Sequence, residues 1–214
     1  ARGCQFGACS FCTEPLKYGR KEQYREQEDI HAEVKELVKN GARHIRLGKQ
    51  SCIFSYKNGE IKELEKLMRP LAEMKLKTLH IDNVNPNLLN EERAKVFVET
   101  CTPGNVAAFG VESFDMKVVI ANKLNTKPEI ALRAIRILNK VGGAIGENGL
   151  PKLLPGINIV LGLKNEDEET LKINYDSFKA IIDEKLLLRR INIRQVVTLP
   201  GTEMEKIGYK FLKK

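Results

Sequence analysis

The sequence lacks an apolar segment long enough to form a membrane-spanning helix. Its longest apolar runs, such as INIVLGL at 157–163, are far shorter than the roughly 20 residues needed to cross a bilayer. No signal-like segment opens the chain. Five cysteines in 214 residues are too few and too unevenly placed for a disulfide scaffold, and an odd number would leave one thiol unpaired. These absences predict a cytoplasmic protein with no membrane partner.

The sequence also lacks the glycine motifs that bind phosphate groups. Its most glycine-rich stretch, VGGAIGENGLPKLLPG at 141–156, matches neither GxGxxG nor a P-loop. It leads from a helix into a strand rather than from a strand into a helix. We therefore expect a structural or partner-facing loop at this position.

Basic residues outnumber acidic ones, and the formal net charge is +8. A positive charge of this size favours encounter with a polyanion such as RNA. However, both signs are mixed along the predicted helices, as in EVKELVKN at 33–40, and such surfaces are also found in thermophilic proteins. Charge alone leaves a nucleic-acid partner and an ordinary solvated surface both open.

Segments with helical periodicity alternate with short strand-like segments. Helices are predicted at 28–41, about 60–75, about 90–101, 113–124, from Thr126 and Pro128 onward, at about 167–184 and near the C-terminus. Strands are predicted at 43–48, 77–83, 105–112, 156–163 and 189–197. This alternation predicts a parallel α/β sheet with right-handed crossovers, and we expect a sixth strand upstream of Ala1.

Polar and apolar side chains alternate within the predicted strands. Because helices cover the apolar face, the polar side chains face the other way, which indicates a curved sheet with helices outside and a polar hollow inside. A flat sheet covered on both faces would instead have continuous apolar strands. The apolar residues of three strands are Ile45, Leu47, Leu79, Ile81, Ile191 and Ile193, and the opposing polar residues are His44, Arg46, His80, Asp82, Asn192 and Arg194. In 105–112 the inward residues are Val106, Ala108, Gly110 and Glu112.

Cys4, Cys9 and Cys12 form a CxxxxCxxC motif that can bring three thiolates to one metal centre. A closed zinc site needs four ligands, and no histidine forms a short pairing with these cysteines. Plant-type ferredoxins share this spacing and take a distant fourth cysteine. In this chain Cys52 or Cys101 would have to be the fourth ligand. Cys101 is expected on the side of the sheet away from the carboxyl ends of the strands.

A four-iron cluster held by three thiolates is the remaining interpretation. Its fourth iron would stay open for an exogenous ligand, as metal catalysis requires. DNVNPN at 82–87 follows a predicted strand and lies beside this pocket. Asp82, Asn83 and Asn85 either contact a ligand there or form an Asx turn before Pro86.

The cysteine motif, with Phe11 just before its last cysteine, resembles the CxxxCxxC signature of the radical S-adenosylmethionine (radical SAM) superfamily, with one extra residue. Later segments resemble further motifs of that superfamily in the same order. Gly48, Lys49 and Gln50 stand where many members have a GGE-like motif for the SAM amine. GVES resembles the ribose-binding turn of the superfamily, which adds Glu112 and Ser113 as expected SAM-binding residues. INIVLGLKNEDEETL resembles its fifth-strand segment, which adds Gly162. RINIRQVVTLPGT resembles its sixth strand, which adds Arg194.

More narrowly, the sequence resembles an archaeal radical SAM group with a C-terminal helix-hairpin-helix module and, more distantly, tRNA methylthiotransferases. The resemblance implies a partial (β/α)6 barrel and one radical SAM core domain over 1–214 that is part of a longer chain. It also implies a [4Fe-4S] cluster on Cys4, Cys9 and Cys12, an electron-donor protein, and reductive cleavage of SAM to a 5′-deoxyadenosyl radical. The substrate stays open, with RNA as one candidate. The alternative is a non-catalytic zinc or iron–sulfur module that binds nucleic acid.

Overall fold

A computed structural model describes residues 2–208 of the chain. Helices and strands alternate along most of this range, as the sequence predicts. The helices are α1 (Glu14–Tyr18), α2 (Gln27–Lys39), α3 (Ile61–Glu73), α4 (Glu91–Thr100), α5 (Met116–Ala121), α6 (Pro128–Gly142), α7 (Glu168–Asp183) and α8 (Glu203–Ile207). The strands are β1 (His44–Leu47), β2 (Thr78–Ile81), β3 (Asn83–Val84), β4 (Asn105–Glu112), β5 (Leu153–Leu161) and β6 (Arg190–Gln195). None of the helices in residues 2–208 is long and apolar enough to span a bilayer.

The strands follow one another in chain order and pair in parallel. β1 pairs with β2, and β3, β4, β5 and β6 form a second ladder. Side chains join the two ladders, because Asn105 Oδ1 accepts a hydrogen bond from the Ile81 N–H (3.1 Å) and Thr102 Oγ1 accepts one from the Leu79 N–H (3.0 Å). The result is one curved sheet in the order expected of a partial barrel, which confirms the predicted α/β class.

The outer side chains of β2 belong to the hydrophobic core of the protein. Leu79 and Ile81 are fully buried against the helices, whereas His80 and Asp82 on the opposite face are only half-buried. Arg46 of β1 and Arg194 of β6 are exposed at the two edges of the inner face. β2 therefore has a buried outer side and a polar, half-buried inner side, as its alternating pattern predicts.

The prediction that helices cover the apolar face fails for β6. Ile191 and Ile193 are 45% and 63% exposed, because no helix within residues 2–208 packs over this edge strand. Alternation identified the two faces of the strand correctly, but a pattern in one strand cannot reveal whether a neighbouring element covers it.

Candidate cluster and cofactor site

The three cysteines lie in a loop, residues 2–13, which we call the cysteine loop. Its start is fixed by an antiparallel bridge in which the Arg2 and Gln23 backbones exchange hydrogen bonds of 3.0 and 2.8 Å. Gly3 has a φ of +87°, and a side chain there would come within 2.7 Å of the Lys21 carbonyl oxygen. Glycine is therefore required where the loop leaves this bridge.

All three thiols open onto one cavity of about 320 Å³, the thiol cavity. Cys4, Cys9 and Cys12 are each half-buried, and the Gly7 N–H donates to Cys4 Sγ at 3.5 Å. The opposite wall of the cavity comes from the sheet and from the loops at the carboxyl ends of its strands. It includes Asn83, Ala108, Gly110, Glu112 and Asn158.

Burial opposes ionisation of two of these thiols, Cys9 and Cys12. It raises the pKa of Cys9 to about 11, and the nearby Cys12, Glu112 and Cys4 raise it further, while the backbone amide of Asn125 acts in the opposite direction. Burial is also the main reason that the pKa of Cys12 is raised. Three thiolates become stable together only when a positive centre offsets the lost hydration, which is the role of a bound metal.

The donor set fits a multi-iron cluster better than a single ion. No three His, Cys, Asp or Glu side chains within residues 2–208 lie close enough together to hold one metal ion. The thiols nevertheless share one cavity, and a cluster with several irons needs ligands that are farther apart than those of one zinc ion. Three soft thiolate donors are the ligand type that iron–sulfur clusters take.

The two other cysteines differ in their positions. Cys101 is buried at the end of α4, and burial raises its pKa to about 12. Cys52 lines the thiol cavity, but it is 3% exposed and its Sγ accepts a hydrogen bond from the Asn85 N–H at 3.1 Å. Burial raises the pKa of Cys52 to about 11. Cys101 is thus remote from the cavity, as expected, and Cys52 is held in its wall.

A second cavity of about 440 Å³, the adjoining cavity, shares four lining residues with the thiol cavity. These are Phe11, Asn83, Glu112 and Asn158. Its other walls come from the inner face and the end of β6, including Arg190, Arg194 and Val196. The two cavities therefore lie side by side between the thiols and the carboxyl end of β6.

Glu112 lies where these cavities meet. It ends β4 after a register shift, with a φ of +65° that side chains rarely adopt. Burial raises the pKa of its carboxyl to about 7, against the opposing effect of Arg194. A side chain at Gly110 would come within 2.9 Å of Glu112 Oε1. The strand therefore places a poorly hydrated carboxyl in the cavity and keeps the space beside it clear.

Of the remaining predicted cofactor residues, Gln50 reaches the thiol cavity and four do not line either cavity. Two hydrogen bonds hold Gln50. Its Nε2–H donates to the Leu47 carbonyl at 2.6 Å, and its backbone carbonyl accepts from the Asn83 Nδ2–H at 2.8 Å. Gly48 and Lys49 line a third cavity of about 680 Å³ between α2 and β1, the α2–β1 cavity. Ser113 is buried, and its Oγ accepts from the Asp115 N–H.

Gly162 begins the loop after β5, and Glu166 closes this loop with two hydrogen bonds. The N–H of Gly162 and that of Leu163 donate to the Glu166 carboxylate at 2.8 and 3.2 Å. The Asx turn is also formed, because Asn85 Oδ1 accepts from the Asn87 N–H at 3.0 Å. Glu166 and Asn85 thus shape loops, while Asn83 contributes to both cavities.

Two residues of the site were missed by the sequence analysis. Asn158 on β5 lines both cavities and accepts a hydrogen bond from Asn192 at 3.0 Å. Asn158 could have been predicted from the sequence, because it is the one polar residue in the apolar run INIVLGL and falls on the inward side of β5. Thr126, which lines the thiol cavity with its Oγ1 unpartnered, appeared in the sequence only as a helix-start residue.

We expect Glu112→Gln to change the pH dependence of stability in the cluster-free protein. The carboxyl titrates near pH 7 in the folded chain, against an ordinary value of 4.5. The folded state therefore binds more protons between these values, and wild-type stability falls as pH rises through that window. The decrease should approach 3 kcal/mol, about 1.4 kcal/mol per pKa unit, and Glu112→Gln should not show it.

Urea unfolding followed by circular dichroism at pH 4.5 to 8 checks this prediction. Glu147→Gln, a change at an exposed loop residue, is the control and should retain the wild-type profile. Identical pH profiles for wild type and Glu112→Gln would contradict the account of this carboxyl.

Two archaeal proteins resemble most of the chain. An uncharacterized protein of Methanocaldococcus jannaschii is 47% identical over 223 residues, covering 95% of this chain and 41% of the relative. One from Archaeoglobus fulgidus is 46% identical over 232 residues, covering 100% of this chain and 42% of the relative. The chain thus spans about two fifths of the length of these relatives. A tRNA-2-methylthio-N(6)-dimethylallyladenosine synthase of Bifidobacterium adolescentis is 25% identical over 169 residues, covering 78% of this chain and 33% of its own length.

Solved structures confirm the fold. The radical S-adenosylmethionine methyltransferase TsrM of Kitasatospora setae, with cobalamin and a [4Fe-4S] cluster bound, superposes with a TM-score of 0.71 at 18% identity. The match covers 94% of this chain and 34% of that one. Methylornithine synthase (PylB) gives a TM-score of 0.65 at 16% identity and covers 98% of this chain and 55% of that one.

The family model of the radical SAM superfamily matches residues 1–176. The matched range includes the cysteine loop, the curved sheet through β5 and the loop after it. This match confirms the expected family. The chain belongs to the radical SAM superfamily.

Proposed function

We propose that this domain holds a [4Fe-4S] cluster on Cys4, Cys9 and Cys12 and leaves its fourth iron to bind SAM. The observation that carries the proposal is that three half-buried thiols open onto one cavity, whereas Cys52, the other thiol in its wall, is only 3% exposed and accepts a hydrogen bond from the Asn85 N–H. When bound, the cluster and SAM supply reductive cleavage of the sulfonium, which gives methionine and a 5′-deoxyadenosyl radical. An electron-donor protein must supply the electron.

The residues of this chain would bind and orient SAM. We propose that Phe11 packs against it, Gln50 presents polar groups to its amine, Glu112 accepts from its ribose and Arg194 pairs with its carboxylate. All four line the thiol cavity or the adjoining cavity. The charge of Arg194 matches a carboxylate, and a Glu112 anion would accept hydroxyl hydrogen bonds.

Gly48, Lys49, Ser113 and Gly162 would act by shaping the loops that contact SAM. Lys49 has a φ of +53°, which turns the chain after β1 toward Gln50. Ser113 fixes the turn after Glu112 through its bond to the Asp115 N–H. Gly162 has a φ of +85° and begins the loop that Glu166 closes. These observations favour an indirect role in loop geometry over direct contact with SAM.

We propose that residues 1–214 form one core domain of a longer protein and that a further strand completes the barrel beside β1. Two observations support this strand. β1 pairs only with β2 within residues 2–208. The α2–β1 cavity lies along its other side, lined by Ile30, Val34 and Ile45 among others. Five free thiols and a reducible cluster suit the cytoplasm.

RNA is the substrate class that we propose. The inner face carries Arg46 and Arg190, neither of which forms an ion pair with a carboxylate of residues 2–208, and the Arg190 Nε is buried without a partner. The chain has a net charge of +8. A relative at 25% identity is named as a tRNA-modifying enzyme. Unpaired guanidinium groups of this kind bind phosphate.

The test of SAM cleavage is anaerobic reconstitution of the full-length protein with iron and sulfide, followed by SAM and a strong reductant. We expect 5′-deoxyadenosine from wild type and none above background from Cys4→Ala. Cys101→Ser, which changes a buried thiol outside the site, should retain the activity. About one zinc per chain and no iron after anaerobic isolation would instead support the non-catalytic metal module.

The test of the substrate class is tRNA binding over a series of salt concentrations. We expect the double change Arg46→Gln and Arg190→Gln to weaken binding and to reduce the slope of log K against log salt by about 1 for each phosphate that the protein no longer neutralises. Arg69→Gln and Arg136→Gln, which remove exposed helix arginines paired with Glu65 and Glu184, are the control. Equal affinities for the two double variants would contradict RNA binding on the inner face.

A further inference from the structure

Asn122 at the end of α5 is fully buried and uses its whole side-chain amide. Its Oδ1 accepts hydrogen bonds from Ser10 Oγ (2.9 Å) and from the Lys164 N–H (3.1 Å). Its Nδ2 donates to the Val118 and Lys164 carbonyls, both at 2.9 Å. One side chain therefore connects the cysteine loop, α5 and the loop after β5.

The backbone of Asn122 holds the same point of the cysteine loop. Its carbonyl accepts from the Ser10 N–H at 3.0 Å, and the Ser10 carbonyl in turn accepts from the Met204 N–H of α8 at 2.8 Å. Ser10 lies between Cys9 and Phe11 and is 2% exposed. Two of the four predicted contacts of the cysteine loop, Cys9 and Phe11, thus flank a residue that three hydrogen bonds hold in place.

We propose that Asn122 is a positioning residue that sets the placement of Cys9 and Phe11 against the loop after β5. Retention of the iron–sulfur cluster would then depend on it. The inference rests on the proposed function, because it concerns the same cluster. Removing the amide would leave Ser10 Oγ buried without a partner and would release both Lys164 backbone groups, so the cysteine loop would lose its fixed position. Residues that orient metal ligands in this way affect metal affinity without touching the metal.

Asn139 on α6 provides a matched control. Its Nδ2 donates to the carbonyl four residues earlier, Ile135, at 3.0 Å and to the Leu187 carbonyl at 3.1 Å, and its Oδ1 accepts from the Leu187 N–H at 2.7 Å. Asn122 makes the same three bonds to Val118 and Lys164. The two asparagines differ in two respects: Asn122 is fully buried whereas Asn139 is half-buried, and only Asn122 also binds Ser10.

The experiment compares Asn122→Ala, Asn139→Ala and Ser10→Ala in the full-length protein. All three are reconstituted anaerobically, and iron release to a chelator is followed with the absorbance and electron paramagnetic resonance of the cluster. We expect Asn122→Ala to release iron about tenfold faster than Asn139→Ala, the lower end of the range for residues that orient metal ligands. Ser10→Ala should be intermediate, because the Asn122 side chain keeps its hydrogen bonds to Val118 and Lys164.

A second measurement separates this inference from the proposed function. In the cluster-free proteins, Cys9 of Asn122→Ala should react with an alkylating reagent faster than Cys9 of Asn139→Ala, identified by peptide mass spectrometry. Equal iron release and equal Cys9 alkylation would overturn the positioning role. A wild type that takes up no cluster refutes the proposed function, and the alkylation rates still decide the role of Asn122. If Asn122→Ala does not fold, Ser10→Ala must show both effects relative to Asn139→Ala, and their absence refutes the role.

Discussion

Burial of three thiols in one cavity is the constraint on which the rest of the site depends. Desolvation raises the pKa of Cys9 to about 11 and also raises that of Cys12. These sulfurs therefore ionise together only when a bound metal centre compensates for the lost hydration. As neutral thiols they are buried without this cost, so only their use as thiolate ligands requires the metal centre. The cysteine loop is accordingly fixed by features around it, at the Arg2–Gln23 bridge and at Ser10.

The curved sheet brings the other half of the site to these thiols. Parallel strands in chain order place their carboxyl ends together, so Asn83, Glu112 and Arg194 converge although they are far apart in sequence. Glycines on β4 and β5 leave the interior open, because a side chain at Gly110 would meet Glu112 and one at Gly156 would meet Val106 and Arg190. A space large enough for a cofactor thus depends on residues that have no side chain.

Features that depend on neighbouring residues in the sequence could be predicted, whereas features that depend on contacts between distant segments could not. The alternation in β2 and β4 is local and predicted the inner and outer faces of these strands correctly. The cysteine spacing is also local, and its three thiols open onto one cavity, while their role as metal ligands stays a prediction. The 3₁₀ segment Ile53–Gly59 was missed, because it turns at Lys57 and Asn58 in the positive φ region and shows no helical period. The exposure of Ile191 and Ile193 could not be predicted, since it depends on which element packs on β6. Asn122 gave no signal, because its partners include segments that are distant in sequence.

The central claim is that three cysteines leave one iron of a [4Fe-4S] cluster free for SAM. Electron paramagnetic resonance of the reduced, reconstituted full-length protein, recorded with and without SAM, tests this claim most directly. The account predicts a [4Fe-4S]⁺ signal whose g values shift when SAM is added, because the amine and carboxylate of SAM bind the open iron. A cluster signal that SAM leaves unchanged, or a protein that holds zinc and no iron, would contradict it.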